Sequence, residues 1–175
     1  MIKKNILLTG GCGFVGKNII QALSKKYNLI VVDNLSSGNI NYIPNNIKIK
    51  KIDIKNNTQI KKIFKEYRFH TVIHCAANFA NQSSIENIYK DTYSNIIGTI
   101  NLLENCKLFN VIKFIYLSSS CIYSVDESDE NIINPSFKTP YAISKFSAEQ
   151  YVSFYSYYYK INASIFRLYN FYGPY

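Results

Sequence analysis

Arginine is scarce in this sequence, and its scarcity argues against a nucleic-acid partner. Arg68 and Arg167 are the only arginines, although 20 basic and 11 acidic residues give a net charge of +9. Arginine is the side chain best suited to forked contacts with phosphates and to base readout. The lysines are instead scattered over the outer faces of predicted helices, as are Lys61, Lys62 and Lys65. We therefore interpret the charge as a solvated surface.

Long apolar runs are also missing, so no membrane-spanning segment is predicted. The chain begins with two lysines and a brief apolar run that Gly10 and Gly11 end, which is too short for a signal peptide. With 47% apolar and 18% charged residues, the composition is that of an ordinary globular protein. We expect a cytoplasmic protein of one domain, residues 1–175, without a membrane partner.

Closely spaced cysteines are absent, which removes the usual signatures of zinc sites and redox motifs. The cysteines form no CxxC pair, and His70 and His74 do not complete a metal-ligand pattern. We therefore predict no metal site. The expected state is a set of reduced, mostly buried thiols at Cys12, Cys75, Cys106 and Cys121.

Short β-rich apolar runs alternate with longer amphipathic stretches along the whole chain. The pattern predicts strands over 5–9, 29–33, 47–53, 71–77, 113–120 and 163–169, and helices over 14–26, 57–67, 84–109 and 140–159. Continuous apolar strands joined by helical crossovers are typical of an α/β fold, a doubly wound parallel sheet with helices on both faces. In such a sheet the ligand binds outside the carboxyl ends of the strands.

The first of those strand ends carries a glycine-rich loop, TGGCGFVG. Gly10, Gly13 and Gly16 follow a predicted strand and open a predicted helix. This arrangement lets the backbone approach a pyrophosphate at the helix N-terminus. Asp33 ends the second strand, where a carboxylate accepts both ribose hydroxyls of adenosine and repels a 2′-phosphate. Together these features predict a dinucleotide site that favours NAD over NADP.

A second stretch, PYAISK, places a phenol and an ammonium one helical turn apart. Tyr141 and Lys145 are at i and i+4 after a proline that can open a helix, so both side chains point the same way. Such pairs are common on helices, and the spacing alone does not separate a packing role from proton transfer.

The glycine spacing GxxGxxG resembles that of the extended short-chain dehydrogenase/reductase family, the NAD-dependent epimerases and dehydratases of nucleotide sugars. Further motifs of that family follow in order: VVDNLSSG at 31–38, DIKN at 53–56, HCAAN at 74–78, NIIGT at 95–99, SSSCIY at 118–123, YAISK at 141–145 and RLYNFYGP at 167–174. The resemblance therefore extends over the whole chain and implies a Rossmann-type fold.

The resemblance implies an NAD cofactor and assigns its contacts. The implied contacts with the pyrophosphate are Gly10, Gly13, Phe14, Val15 and Gly16. Asp33 and Asn34 would contact the adenosine ribose, and Asp53 and Ile54 the adenine. The backbone of Ala76 and Ala77 would approach the cofactor, with Asn95 supporting that turn, and Tyr141, Lys145 and Tyr169 would contact the nicotinamide end.

The resemblance also implies a catalytic triad of Ser119, Tyr141 and Lys145, although Ser118 and Ser120 leave the choice of serine open. The implied substrate contacts are Ser119, Ser120, Tyr141 and Asn170. A free phenol titrates near pH 10, about three units above neutrality. A neighbouring ammonium and the positive cofactor ring favour the phenolate, so we expect Tyr141 to have a lowered pKa and to act as the base.

The two residues after Ser119 narrow the substrate class. The 4,6-dehydratases of the family carry an Asp-Glu pair there, and the decarboxylating relatives a Glu, whereas this chain has Ser120 and Cys121. The motifs resemble most the 4-epimerases of UDP-sugars, including UDP-glucose and UDP-N-acetylglucosamine. The GDP-fucose synthases are the alternative, because they use a cysteine at the position of Cys121. Two residues argue against them: Tyr175 stands where they have a partner histidine, and Asp33 argues against NADPH, the cofactor that those synthases prefer. Burial as a small core residue is the ordinary interpretation of Cys121.

The remaining expectations concern assembly and length. Tyr151, Phe154, Tyr155 and Tyr158 have helical spacing on one face, which predicts core packing and a subunit interface. The family forms dimers through helices that match 84–109 and 140–159, so we expect a homodimer. Family members also continue beyond RLYNFYGP into a lobe that grips the nucleotide sugar. We therefore expect a truncated enzyme without its substrate lobe, or a short NAD-binding module without catalytic activity.

Overall fold

A computed structural model of the chain describes residues 3–79, 81–125, 133–135, 137–170 and 172–173. The strands are β1 (Asn5–Thr9), β2 (Asn28–Asp33), β3 (Lys48–Lys51), β4 (Thr71–His74), β5 (Lys113–Ser119), β6 (Tyr123–Val125), β7 (Ile133–Pro135) and β8 (Asn162–Leu168). The α-helices are α1 (Phe14–Leu23), α2 (Asn57–Tyr67), α3 (Asn81–Glu86), α4 (Ile88–Thr92), α5 (Gly98–Leu108) and α6 (Pro140–Tyr159).

Six strands form one parallel sheet in the order β3-β2-β1-β4-β5-β8, and β6 and β7 form a small antiparallel pair. The order reverses between β1 and β4, which opens a crevice at the carboxyl edge of the sheet. Thr9 of β1 pairs with Val32 of β2 and with His74 of β4, so the ends of these three strands lie side by side. The predicted doubly wound fold is confirmed.

The core divides at the sheet because neighbouring strand residues point to opposite faces. Leu7 belongs to a cluster with residues of α2, α5 and α6, among them Phe64, Leu102 and Val152. Leu8 faces the other way and packs in the cluster of Ile20 on α1. Both faces of the sheet are therefore covered by helices.

The predicted helix over 84–109 is wrong as a single element. Asn87 has a φ of −145°, and its side chain accepts a hydrogen bond from the backbone N–H of Lys90. This cap ends α3 and starts α4. A π-helical turn over Tyr93–Ile97 then separates α4 from α5. Smaller differences are that α1 ends at Leu23, that β3 is confined to 48–51, and that β4 ends at His74.

The aromatic face of α6, predicted to serve core packing and a subunit interface, contributes one of its four residues to the core; the interface part stays a prediction. Tyr155 is buried, whereas Tyr151, Phe154 and Tyr158 are 42%, 49% and 65% exposed. The face of α6 that packs on the sheet is set by Tyr141, Lys145, Ala148, Val152 and Tyr155, each three or four residues from the next. The other aromatic side chains lie outside that stripe.

No helix among the described residues has the length and apolar character needed to cross a membrane. Within the same residues, no group of three or more His, Cys, Asp or Glu side chains is arranged to hold a metal ion. All four cysteines are free thiols; Cys12 and Cys106 are buried, Cys75 is half-buried and Cys121 is exposed. The interpretation of Cys121 as a core residue is therefore wrong.

Candidate functional site

A cleft of about 750 Å³ opens along the carboxyl edge of the sheet, where the strand order reverses. It is lined by the loops after β1, β2, β3, β4, β5 and β8 and by the start of α6. The structure brings nearly all predicted site residues to its wall: Gly10, Gly13, Phe14, Val15, Gly16, Asp33, Asn34, Asp53, Ile54, Ala76, Ala77, Ser119, Ser120, Tyr141, Lys145, Tyr169 and Asn170. Asn95 alone lies behind the wall.

The glycine loop, residues 10–16, is built so tightly that a Cβ is excluded at Gly10 and Gly16. Gly10 has a φ of +68°, and a Cβ there would lie 2.6 Å from the backbone nitrogen of Ala76. A Cβ on Gly16 would lie 2.3 Å from the carbonyl oxygen of Gly10. Gly13 caps α1 without a side chain, so the helix N-terminus faces the cleft at its positive end. This geometry suits an anionic group such as a pyrophosphate.

Carboxylates lie beside this loop, at the ends of β2 and β3. Asp33 is buried, and its two carboxylate oxygens accept the backbone N–H groups of Cys12 at 2.9 Å and Leu35 at 2.8 Å. The side-chain amide of Asn34 donates to Asp53 at 3.1 Å. Each carboxylate oxygen has a second lone pair, so Asp33 can still accept hydroxyl groups from a ligand in the cleft.

A buried hydrogen-bonded chain through His74 fixes the ends of β1 and β4. The hydroxyl of Thr99 donates to the carbonyl oxygen of Asn95 at 2.6 Å, so it can only accept from Nε2 of His74, 2.9 Å away. Nδ1 of His74 then accepts from the hydroxyl of Thr9 at 2.7 Å. Burial and the nearby charge of Lys145 lower the pKa of His74 to about 3. The imidazole is therefore neutral, with its proton on Nε2.

Asn95 supports the cleft wall from behind, as the sequence predicted. Its Oδ1 accepts from the backbone N–H of Asn78 at 2.7 Å. Its Nδ2 donates to Asp91 at 2.9 Å and to Ser144 at 3.0 Å. These bonds join the turn after β4 to the helix that carries Tyr141. The π-helical turn places Asn95 at the centre of this set.

Helix α6 begins where the PYAISK stretch predicted. Thr139 caps it by accepting the backbone N–H of Ala142, and Pro140 occupies the first turn. Tyr141 and Lys145 follow on the buried face, 5% and 3% exposed, and both line the cleft. The sequence therefore located both the start of the helix and the face on which the pair lies.

Tyr141 and Lys145 are tuned in opposite directions by their surroundings. Burial raises the pKa of Tyr141 to about 12 against the opposing hydrogen bond with Ser119. Burial also lowers the pKa of Lys145 to about 8, although Cys75, Glu149 and Asp91 oppose the shift. Without the cofactor the pKa of Tyr141 is therefore raised, and the expected shift toward the phenolate beside the positive cofactor ring stays a prediction. Burial outweighs the hydrogen bond with Ser119, and a phenol is the resting form.

Lys145 is held by two neighbours on β5. Its Nζ donates to the carbonyl oxygen of Leu117 at 2.6 Å and lies 4.3 Å from the centre of the Tyr116 ring. Ser119 ends the same strand, and its hydroxyl accepts the backbone N–H of Cys121 at 3.2 Å. The hydrogen bond that opposes the raised pKa of Tyr141 comes from Ser119, so Ser119, rather than Ser118 or Ser120, stays the predicted catalytic serine.

Several residues at or behind the cleft escaped the sequence analysis. The wall also includes Ser36, Ser37, Gly38, Lys55, Asn78, Phe79, Lys90, Ser94, Tyr172 and Gly173. The first three lie in the VVDNLSSG motif, which could have indicated them. Asp91, Glu149 and Arg167 are behind the wall, and no local pattern marks residues whose partners lie on other elements. Tyr175, which bears on the GDP-fucose synthase alternative, lies outside the described residues.

Comparison with known proteins decides the family. The family model described as "NAD dependent epimerase/dehydratase family" matches residues 6–175. The chain belongs to this family. The putative UDP-glucose 4-epimerase of Methanocaldococcus jannaschii is 37% identical over 177 residues, which cover 96% of this chain and 56% of that protein. The chain spans about half the length of the curated relatives it matches.

Solved structures agree with the fold and the cleft. An epimerase from Methanothermobacter thermautotrophicus matches 98% of this chain and 53% of its own, with a TM-score of 0.91 and 38% identity. The UDP-glucose 4-epimerase of Thermus thermophilus in complex with NAD matches 93% of this chain and 54% of its own, with a TM-score of 0.87 and 31% identity. NAD is the cofactor of the family.

The residues present fit NAD. The backbone at Gly10 and Gly16 leaves no room for side chains, which is the cradle that a pyrophosphate requires. The carboxylate of Asp33 stands at the end of β2, where an adenosine ribose is bound in this class of fold. Lys145 and Tyr141 line the same cleft and are the residues that would meet a nicotinamide ribose.

Proposed function

We propose that this protein is an NAD-dependent nucleotide-sugar epimerase that acts at C4 of a UDP-sugar. The observation that carries the proposal is the meeting of Ser119, Tyr141 and Lys145 in one cleft with the glycine loop and Asp33. NAD, when bound, supplies a hydride acceptor that later returns the hydride to the sugar. The resemblance to UDP-glucose 4-epimerases supports the sugar class.

The chain's own residues supply binding and proton transfer. The glycine loop and the N-terminus of α1 hold the pyrophosphate, Asp33 with Asn34 the adenosine ribose, and Asp53 with Ile54 the adenine side. Lys145 donates to the nicotinamide ribose.

Ser119 hydrogen-bonds the oxygen at C4 of the sugar and orients it toward Tyr141. Tyr141 takes the proton of that hydroxyl and gives it back when the sugar is reduced on its other face. A buried phenol with a pKa of about 12 needs a cation to become a base, and we assign that role to Lys145, which lines the same cleft one helical turn further along α6.

The positions of the carboxylates in the cleft support epimerisation over dehydration. Among the described residues that line the cleft, the carboxylates are Asp33 and Asp53, at the ends of β2 and β3. The catalytic end instead presents Ser120 and Cys121 after Ser119. Elimination of water requires an acid and a base at the sugar, and no carboxylate of the described wall is near Tyr141. An epimerase needs only the reversible base.

One observation favours a second candidate. Cys121 is exposed and lines the catalytic end of the cleft, where a thiol can exchange protons with a sugar ring. This placement supports the alternative of a GDP-sugar epimerase or reductase of the fucose-synthase type. Cys121→Ser separates the two: a 4-epimerase keeps its activity, whereas an enzyme that uses the thiol loses it.

We also propose a homodimer. The α3–α5 region exposes Ile85, Ile88 and Tyr89, and α6 exposes Phe154 and Tyr157. Large exposed apolar side chains on neighbouring helices are typical of a subunit interface. Sedimentation equilibrium measures the assembly, and Phe154→Lys with Tyr157→Lys should give monomers.

The test of the proposed function is Tyr141→Phe with Tyr157→Phe as the control, because Tyr157 is 77% exposed on the same helix. Tyr141→Phe should lower conversion of UDP-glucose to UDP-galactose by about 100-fold to 10,000-fold, the usual contribution of a general base. NAD affinity, measured by calorimetry, should stay within about twofold because the ring still fills its site. Unchanged turnover would contradict the assignment. A wild-type protein that binds NAD but converts no UDP-sugar would instead support the NAD-binding module.

A further inference from the structure

Three ionisable side chains lie close together behind the catalytic end of the cleft: Lys145, Glu149 and Arg167. Lys145 and Glu149 are on α6 at i and i+4, and both are almost fully buried, 3% and 2% exposed. Arg167 is on β8, next to Ser118 in the register of the sheet. Lys145 serves the cleft directly, whereas Glu149 and Arg167 do not line it.

The spacing on α6 predicts an ion pair that does not form. Oppositely charged residues at i and i+4 are neighbours on a helix surface, and burial strengthens their attraction. Nevertheless, Lys145 makes no ion pair with any described residue; its ammonium donates to the carbonyl oxygen of Leu117 and lines the cleft. Something therefore holds the carboxylate of Glu149 away from the ammonium.

Arg167 holds the Glu149 carboxylate in a bidentate ion pair. Its Nε lies 3.0 Å from Oε1 of Glu149, and its Nη2 lies 2.7 Å from Oε2. Parallel bonds of a guanidinium to both carboxylate oxygens are the strongest ion-pair geometry in proteins. The other side of the guanidinium is fixed too, because Nη1 donates to the hydroxyl of Tyr123 and the group lies 4.6 Å from the centre of that ring.

We propose that Arg167 is a positioning residue: by binding the Glu149 carboxylate it prevents an ion pair between Glu149 and Lys145 and leaves the Lys145 ammonium directed at the cleft. The inference rests on the proposed function, because it concerns the availability of Lys145 to cofactor and substrate. Without Arg167, Glu149 would be a buried carboxylate without a partner, and the nearest cation on its own helix is Lys145.

The other groups around Lys145 do not replace this role. His74 is buried and neutral, Tyr141 carries a raised pKa, and Cys75 has a pKa raised by burial to about 12. Asp91 is buried; its Oδ1 accepts a hydrogen bond from Asn95, and its Oδ2 has no partner among the described residues. Its carboxylate raises the pKa of Lys145 and is unchanged in all the variants below, so it does not account for differences between them. Tyr116 contacts the Lys145 ammonium through the face of its ring. Glu149 is the one carboxylate on α6 at helical spacing from Lys145.

The direct test is the titration of Lys145, followed by NMR at its side chain in the 175-residue chain without cofactor. Arg167→Met should raise the pKa of Lys145 above the wild-type value of about 8, because the released carboxylate stabilises the ammonium. Glu149→Gln should lower it, and the double variant should match Glu149→Gln. Lys50→Met, which removes an exposed ion pair with Glu66, is the control and should leave it unchanged.

Calorimetry of NAD binding at pH 7 gives the second readout. Arg167→Met should bind NAD about tenfold more weakly, as expected for the loss of one charged hydrogen bond. Glu149→Gln should stay within about twofold of the wild type, and the double variant should recover most of the affinity. If the ion pair only stabilised the fold, Glu149→Gln would be as harmful as Arg167→Met.

Equal loss in both single variants, or an unchanged Lys145 titration in Arg167→Met, would overturn the proposal. A wild-type chain that fails to bind NAD would contradict the proposed function, yet the NMR titration would still decide the role of Arg167. If Arg167→Met does not fold, Arg167→Lys serves, because one ammonium cannot hold both carboxylate oxygens. It should shift the Lys145 titration in the same direction by a smaller amount.

Discussion

The two ends of the cleft are built by different means. At the glycine loop, the ligand-facing surface is backbone, and the residue type is dictated by lack of space at Gly10 and Gly16. At the catalytic end, the surface is made of buried polar and charged side chains, with Tyr141 and Lys145 both at most 5% exposed. One end therefore depends on sterics, and the other depends on charges that are costly to bury.

The largest effect should come from adding one methyl group to the glycine loop. Gly16→Ala would place a Cβ 2.3 Å from the carbonyl oxygen of Gly10, so the loop must move. A displacement of this size should weaken NAD binding on the order of 100-fold. It should also lower the unfolding temperature. Both are measured on the purified chain, by calorimetry and by thermal unfolding.

Gly13→Ala is the matched control, because its Cβ would meet the same oxygen at 3.4 Å, an ordinary contact. The unfolding temperature should fall much less than in Gly16→Ala, because only the preference of the N-cap for glycine over alanine is lost. A large loss of NAD affinity would then come from contact with the ligand. Equal destabilisation by both substitutions would show that crowding does not distinguish the two glycines.

At the catalytic end a single substitution should stabilise the fold instead of destabilising it. Burial lowers the pKa of Lys145 from 10.5 to about 8, so the charged form costs free energy in the folded state below pH 8. Lys145→Met should raise the free energy of unfolding at pH 7 by about 2–3 kcal/mol and should abolish the proposed epimerisation. Urea denaturation measures the gain, with exposed Lys61→Met as a control that changes little. A loss of stability would mean that the ammonium is better satisfied than its burial indicates.

The effect that is smallest at neutral pH concerns acid stability. The folded-state pKa of His74 is about 3, below the 6.5 of the unfolded chain, so the unfolded state binds the extra proton between these values. The free energy of unfolding should therefore fall by about 1.4 kcal/mol per pH unit as the pH drops below 6.5, until it passes the folded pKa.

His74→Gln should remove most of that slope, since an amide can accept from Thr9 and donate to Thr99 without titrating. His70→Gln is the control, because His70 is hydrogen-bonded to Lys4 and Thr71 near the surface, and most of the slope should remain. Urea titrations at several pH values test the pair. An identical slope in wild type and His74→Gln would place the acid sensitivity elsewhere.

The contrast between the two ends also explains what the sequence could predict. Gly10 and Gly16 were predictable because each is required by a local backbone geometry that follows from the strand-turn-helix pattern. Asp33 was predictable because it ends the second strand, where a carboxylate can accept the ribose hydroxyls of adenosine. Tyr141 and Lys145 were predictable because their i, i+4 spacing follows from a helix whose start Thr139 and Pro140 mark.

Residues that could not be predicted depend on contacts between distant segments. Arg167 and Glu149 are 18 residues apart on different elements, and their pairing follows from where β8 lies relative to α6. The raised pKa of Tyr141 likewise follows from burial, which the i, i+4 spacing does not reveal. Tyr151, Phe154 and Tyr158 had the right periodicity for a buried stripe, yet the stripe that packs on the sheet is rotated from them.

The π-helical turn over Tyr93–Ile97 has a consequence for how this protein can vary. Such a turn holds one residue more than the α-helical path, so it behaves as an insertion tolerated within a helix. Deleting one residue there would restore α-helical phase and rotate the preceding side chains by about 100° relative to α5. Asn95 would then lose its alignment with Asn78 while Thr99 kept His74. The extra residue therefore sets both the face that carries Asn95 and the face that carries Thr99. For this reason, insertions and deletions in this segment should be rarer among relatives than substitutions.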